Sequence, residues 1–117
     1  MTDWFVLDIP RPPSVNRFIG KLGNKSSCVV KWRARADQHL RAAGKYPRII
    51  GPYEIVVTFP LFRFGVFDAE NCIKALSDWL QSREIIKNDR HAARMELNWG
   101  AAPEGCRVCV RPWRGAA

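Results

Sequence analysis

The sequence predicts an α+β fold, a single small domain over residues 1–117 in which a mixed β-sheet packs against two helices. Three observations predict it. A chain of 117 residues is long enough for one hydrophobic core and short of a second. The apolar pattern switches between period two and period 3.6 in the order β, α, β, α, β, β, which favours a mixed sheet with helices against it. No internal repeat, low-complexity segment or interdomain linker interrupts that order.

The elements follow in turn. WFVLDI, residues 4–9, reads as a short buried strand, ended by the PRPP that follows because proline cannot continue a ladder. Residues 10–27 carry three prolines, two glycines and two asparagines among scattered basic residues, a long loop of the kind that is usually functional. Ser26 or Ser27 can cap a helix running to about Ala43, with Gly44 as its stop. YPRIIGP is a connection, and YEIVVTF, residues 53–59, is a β-branched strand stopped by Pro60. LFRFGVF is open between a strand end and a loop. Asp68 to about Gln81 gives the clearest helix. RMELNW and CRVCVR alternate as strands, and the intervening GAAPEG supplies turn residues for a hairpin between them.

Nineteen Lys and Arg stand against eleven Asp and Glu, a net charge of +8. A domain this basic is expected to meet a polyanion, since neutralising phosphates releases counterions. The competing reading is a basic surface that only keeps the protein dispersed. No apolar run approaches the roughly 18 residues of a membrane span, and the N-terminus has no secretory pattern, so an intracellular setting is expected. The four cysteines then read as thiols. Cys106 and Cys109 form a CxxC, but a strand points residues three apart to opposite faces, against a shared zinc.

Against this basic background, residues 66–89 gather Asp68, Glu70, Asp78, Glu84 and Asp89 around Lys74. On a helical wheel Ala69, Cys72, Ile73, Leu76, Trp79 and Leu80 share one face, leaving Glu70, Asn71, Lys74 and Asp78 on the other. Two readings stand. In one, Asp68 caps a solvated helix and Glu70 pairs with Lys74 at i, i+4, worth a few tenths of a kcal/mol. In the other, the carboxylates serve phosphodiester hydrolysis, which needs hard oxygen ligands converging on a divalent cation. A helix of about 14 residues spans roughly 21 Å, so Asp89 meets Asp68 only where the chain doubles back.

The spacing D-x-E-N-x-x-K-x-x-x-D over Asp68, Glu70, Asn71, Lys74 and Asp78, followed by Asn88-Asp89 and preceded by PPSVNR at 12–17, resembles the RusA family of Holliday junction resolvases over nearly the whole chain. The resemblance implies an α+β homodimer that cuts four-way DNA junctions with Mg²⁺ or Mn²⁺ in recombination and repair. It implies that Asp68, Glu70 and Asp89 ligate the metal and that Lys74 assists by charge. The family pattern has aspartate where this chain has Glu70, and a denser basic run where it has only Arg63. Asn71 and Asp78 are expected to support the ligands by hydrogen bonding.

Candidate DNA contacts are Asn16, Arg17, Lys21 and Lys25 in the loop, with Arg11 beside them, then Lys31, Arg33 and Arg35 on the first helix, and Arg63. Phe18 and Trp32 can stack on an unpaired base or pack in the core. His39 and His91 read as surface or helix residues. Five tryptophans in so short a chain favour an interface, in keeping with a homodimer. No organic cofactor and no membrane contact are expected. Two alternatives remain: a non-catalytic basic DNA-binding module, and a metal nuclease without junction preference. Members of the family are often carried by phages or prophages, which implies a bacterial or phage-encoded cytoplasmic protein.

Overall fold

In a computed structural model that describes residues 3–14 and 27–115, the expected order resolves into β1 (Phe5–Ile9), α1 (Ser27–Ala43), β2 (Tyr53–Pro60), α2 (Glu70–Ser82), β3 (Ala92–Gly100) and β4 (Cys106–Pro112). Short 3₁₀ turns at Leu61–Arg63 and Asp89–His91 precede and follow α2. The strands form one mixed sheet in the order β1-β4-β2-β3. β4 pairs antiparallel with both β1 and β2, while β2 and β3 run parallel. A parallel pair needs a crossover, and α2 supplies it.

The expected hairpin between the last two strands does not form. β2 lies between them, and β4 takes an interior place, between β1 and β2. Cys106, Val108 and Val110 are all buried, a stripe that a central strand hides better than an edge, whereas β3 carries exposed Arg94 and Met95. Nor does Pro60 stop β2 before itself: it occupies the last rung, opposite Gly100, where a missing N–H costs little.

Both helices cover one face. From the sheet, Tyr53, Ile55, Val57, Phe59, Leu7 and Ile9 point into the core. From the helices come Trp32, Ala36, Leu40, Leu76, Trp79 and Leu80. Trp32 and Trp79 meet edge to face, with ring centres 5.6 Å apart. Both indole N–H groups are satisfied, Trp32 donating to the Pro10 carbonyl at 2.8 Å and Trp79 to Asp37 at 2.9 Å. Trp32 is therefore a core residue, not a base-stacking one. Replacing a buried aromatic ring of this kind by alanine costs about 3–5 kcal/mol.

The helices end differently. Gly44 follows α1 at φ +85°, as the sequence leads one to expect. After α2 the left-handed position falls to Glu84 at φ +62°, and Ile85 N–H bonds back to the Leu80 carbonyl. Ile49 then pairs with Ile86 in an isolated parallel bridge that ties the α1–β2 connection to this exit. Among the described residues, no helix is long and apolar enough to cross a membrane.

On the uncovered face, charge replaces apolar packing. Asp8 pairs with Arg107 at 2.8 Å. Glu54 receives Arg94 at 3.0 Å and Arg111 at 2.8 Å. Each pair bridges residues directly opposite each other on neighbouring strands. The Arg111 hydrogen bond holds the Glu54 carboxyl below its ordinary value against the opposing effect of burial.

Candidate functional site

Asp68 sits two residues before α2 and is fixed by the helix start. Its Oδ1 accepts the Glu70 N–H at 3.1 Å, and its Oδ2 accepts the Asn71 side-chain amide at 3.2 Å. The backbone carbonyl of Asp68 accepts the Asn71 N–H at 3.1 Å. Negative charge is favoured here by the unpaired N–H groups of the first turn. Glu70, exposed in that same turn, brings a second carboxylate to this end of the helix. The expected support from Asn71 is thus visible as an orienting hydrogen bond to Asp68.

Lys74 and Asp78 behave differently from expectation. Lys74 pairs with Asp78 at 3.2 Å, one turn further on, and not with Glu70. Both ends of that pair are largely exposed, so it contributes a few tenths of a kcal/mol at most. Asp78 thereby holds the ammonium of Lys74 and does not reach Asp68.

Asp89 opens the 3₁₀ turn before β3. Its N–H donates to the Gln81 side chain at 3.0 Å, and its carbonyl accepts from the Tyr53 hydroxyl at 3.4 Å. Burial, aided by the Asp89 charge, pushes the Tyr53 phenol up to about 12. Gln81 belongs to the last turns of α2 and Tyr53 opens β2, so Asp89 lies at the far end of the helix from Asp68. At 1.5 Å per residue that separation is about 20 Å. The structure brings Asp68 and Glu70 together but leaves Asp89 apart, and no group of three or more ligating side chains occurs among the described residues. The cause is topological: in a strand–helix–parallel strand unit the two ends of the helix meet opposite ends of the strands.

As hard oxygen donors, Asp68 and Glu70 suit Mg²⁺ or Mn²⁺. Two carboxylates from one chain are fewer than the three that the resemblance implies. His39 and His91 stand outside any such group, His91 exposed in the turn beside Asp89.

Near the Asp68 end lies a cleft of about 410 Å³ walled by Arg11, Arg35, Arg63, Phe62, Phe67 and Glu104. The Arg11 guanidinium stacks over Phe67 at 4.2 Å, and Arg63 lies 5.7 Å from the centre of the Phe62 ring. None of the three arginines makes an ion pair with a described residue. A second hollow, bordered by Arg11, Lys31 and Arg35, continues the positive strip along α1. Gly105 shapes the first cleft: at φ +117° its Cα approaches Arg11 so closely that a Cβ would stand 3.0 Å from the Arg11 backbone nitrogen.

Of the expected DNA contacts, Lys31 and Arg63 are exposed on this strip. Arg33 is half-buried, with a buried Nε that has no partner among the described residues, and lies off it. Asn16, Arg17, Lys21 and Lys25, with Phe18, lie outside the described residues. Sequence reasoning did not identify Gln81 as the anchor of Asp89, nor the exposure of the segment after β2. There Phe62 is 82% and Phe64 68% exposed, with Leu61 and Val66 beside them. The signal was the Phe-Arg-Phe-Gly run, whose glycine and arginine spoil both strand and helix patterns.

Cys72, Cys106 and Cys109 are free thiols. Cys106 is buried and Cys109 half-exposed on the opposite face of β4, as strand alternation requires. Burial pushes the Cys72 thiol up to about 11 and raises that of Cys106 further.

No model of a known protein family matches the chain, and no curated protein matches it either.

Proposed function

We propose that the chain is a Mg²⁺-dependent, structure-specific endodeoxyribonuclease that resolves four-way DNA junctions as a homodimer, with Mn²⁺ as an alternative ion. The observation that carries this reading is the coincidence, near one end of the sheet, of a hydrogen-bonded Asp68 carboxylate and the neighbouring Glu70 with a strip of arginines that have no acidic partner among the described residues. DNA drawn to the strip by its phosphates would reach Asp68 and Glu70 there. The RusA resemblance supplies the junction preference, the role in recombination and repair, and the bacterial or phage cytoplasmic setting.

On this reading, the separation of Asp89 from Asp68 gives the second copy a role. β3 is an edge strand nine residues long without proline, and Met95 is 44% exposed on its helix side. Such an edge is a template for pairing. Antiparallel pairing of two β3 edges, about 4.8 Å apart, sets the two α2 helices side by side at about 10 Å, an ordinary packing distance, and pointing in opposite directions. Asp68 and Glu70 of one copy then face Asp89 of the other, which completes the ligand set twice, once for each nick.

Asp68 and Glu70 of one copy and Asp89 of the other would hold the Mg²⁺, which would supply activation of an attacking water and polarisation of the scissile phosphate, with 5′-phosphate and 3′-hydroxyl ends as the expected products. In this chain Asn71 fixes the Asp68 carboxylate, and Gln81 and Tyr53 fix the backbone of Asp89. Lys74, released from Asp78 by an arriving phosphate, supplies positive charge to the pentacoordinate state.

The test is cleavage of a labelled four-way junction beside a linear duplex, with Mg²⁺ or EDTA. Asp68→Asn and Asp89→Asn are each expected to abolish paired nicking while sparing binding. Mixing the two inactive variants is expected to restore nicking of one strand, because the mixed dimer holds one intact shared site. Binding without cutting under every condition would favour a DNA-binding module, and equal cutting of the duplex a nuclease without junction preference.

A further inference from the structure

The segment between β2 and α2 contradicts the rule that a small domain hides its large apolar side chains. Leu61, Phe62, Phe64 and Val66 are all exposed, with Arg63 in their midst. Phe67, the next aromatic, turns inward and packs on Phe59 and Trp99, and Phe64 leans against Trp99 at 5.4 Å. Phe62 makes no ring–ring contact with a described residue and stands on the rim of the arginine cleft.

We infer that this cleft is a subsite for one unpaired nucleotide of a DNA strand, its base stacked on Phe62 and its phosphate held by Arg11, Arg35 and Arg63. Three features commit it to that occupant. The guanidiniums have no acidic partner among the described residues, so the wall offers positive charge to a phosphate; Glu104 is the one acid on it. The Arg11 guanidinium lies over the Phe67 ring, 4.2 Å from its centre, a contact that helps hold its fork in place while its N–H groups donate to phosphate oxygens. The volume, about 410 Å³, lies toward the small end of the range of roughly 300–1,000 Å³ for small-molecule pockets, room for one nucleotide but not for a base pair. A paired base has both faces covered by its neighbours in the stack. An exposed ring such as Phe62 gains stacking only from a base that has lost one, as at a branch point or in a single strand.

The inference takes its polymer from the proposed DNA reading but needs neither the carboxylates nor a metal. It is therefore tested in EDTA, with a short oligothymidine strand carrying a fluorescent base analogue that dims on stacking, beside a duplex of matching length. Wild-type protein is expected to bind the strand and quench the analogue. Phe62→Ala is expected to weaken strand binding about tenfold and abolish the quench, with duplex binding unchanged. Arg35→Ala is expected to weaken both and to lower the salt slope by about one. Because Phe62 is exposed, the variant keeps its fold, which a melting curve verifies. Strand affinity or quench unchanged in Phe62→Ala would overturn the inference. Equal losses for strand and duplex would overturn it too, as would binding to anionic lipid vesicles with none to the strand. A protein that binds strands through Phe62 yet cuts nothing would keep the inference and sink the nuclease reading. One that cuts junctions normally as Phe62→Ala, with unchanged strand binding, would do the reverse.

Discussion

Two groups of arginines in this chain live in opposite surroundings. On the open face of the sheet, Arg94, Arg107 and Arg111 each have a carboxylate partner, and Arg114 joins them through Asp3. At the cleft, Arg11, Arg35 and Arg63 have none among the described residues, and Arg11 and Arg63 lie over the rings of Phe67 and Phe62 instead. The first group stitches strand to strand. The second leaves its charge available. The net charge of +8 is thus a poor guide to where a phosphate is attracted, because much of the positive charge is cancelled where it is structural.

The largest expected effect tests the free group. Reversing Arg35 and Arg63 together to glutamate is expected to weaken duplex binding more than tenfold and to make its salt slope shallower by about two, with the melting temperature unchanged. A salt titration of binding checks this; an unchanged slope would mean these arginines touch no phosphate.

Next comes a paired arginine between the helices. Asp37 accepts from Arg83 through both oxygens at 2.7 Å and from Trp79. Asp37→Asn is expected to cost about 2 kcal/mol in urea unfolding with no change in DNA affinity. Burial pushes the Asp37 carboxyl up, but the hydrogen bonds of Arg83 and Trp79 outweigh it and hold it below 3.8. The stability it contributes is therefore present above about that pH and lost as the pH falls through the lower folded value. Wild type should lose stability across that acid window, and the variant should show a flatter limb.

A smaller effect would convert one group into the other. Glu54→Gln removes the shared partner of Arg94 and Arg111 and should make the open face attractive to DNA. Its salt slope is expected to steepen by about one while its melting temperature falls. The smallest effect belongs to Phe62→Ala, whose folded stability is expected to change by no more than about 0.5 kcal/mol.

Local chemistry made most elements legible. Gly44 marked the end of α1, and the apolar stripe from Cys72 to Leu80 marked α2. Strand order was not legible, because GAAPEG favours a local turn while the partners of β4 are chosen by burial at a distance, Cys106 meeting Ile9 from the other end of the chain. At the site, the capping role of Asp68 and the helical spacing of Asn71 could be read from the residues. The choice of Lys74 between Glu70 and Asp78 could not, since both stand one turn away. Nor could the position of Asp89, which depends on the direction of a crossover.

The two ends of α2 have a further consequence in the cell. On the proposed reading, a lone copy carries its ligands some 20 Å apart and is inert. Cutting would then rise with the square of the protein level until dimers dominate, and fall away steeply on dilution. On that reading, a helix long enough to separate two carboxylates would set a threshold dose, and a trace of the protein could sit on a chromosome without breaking it.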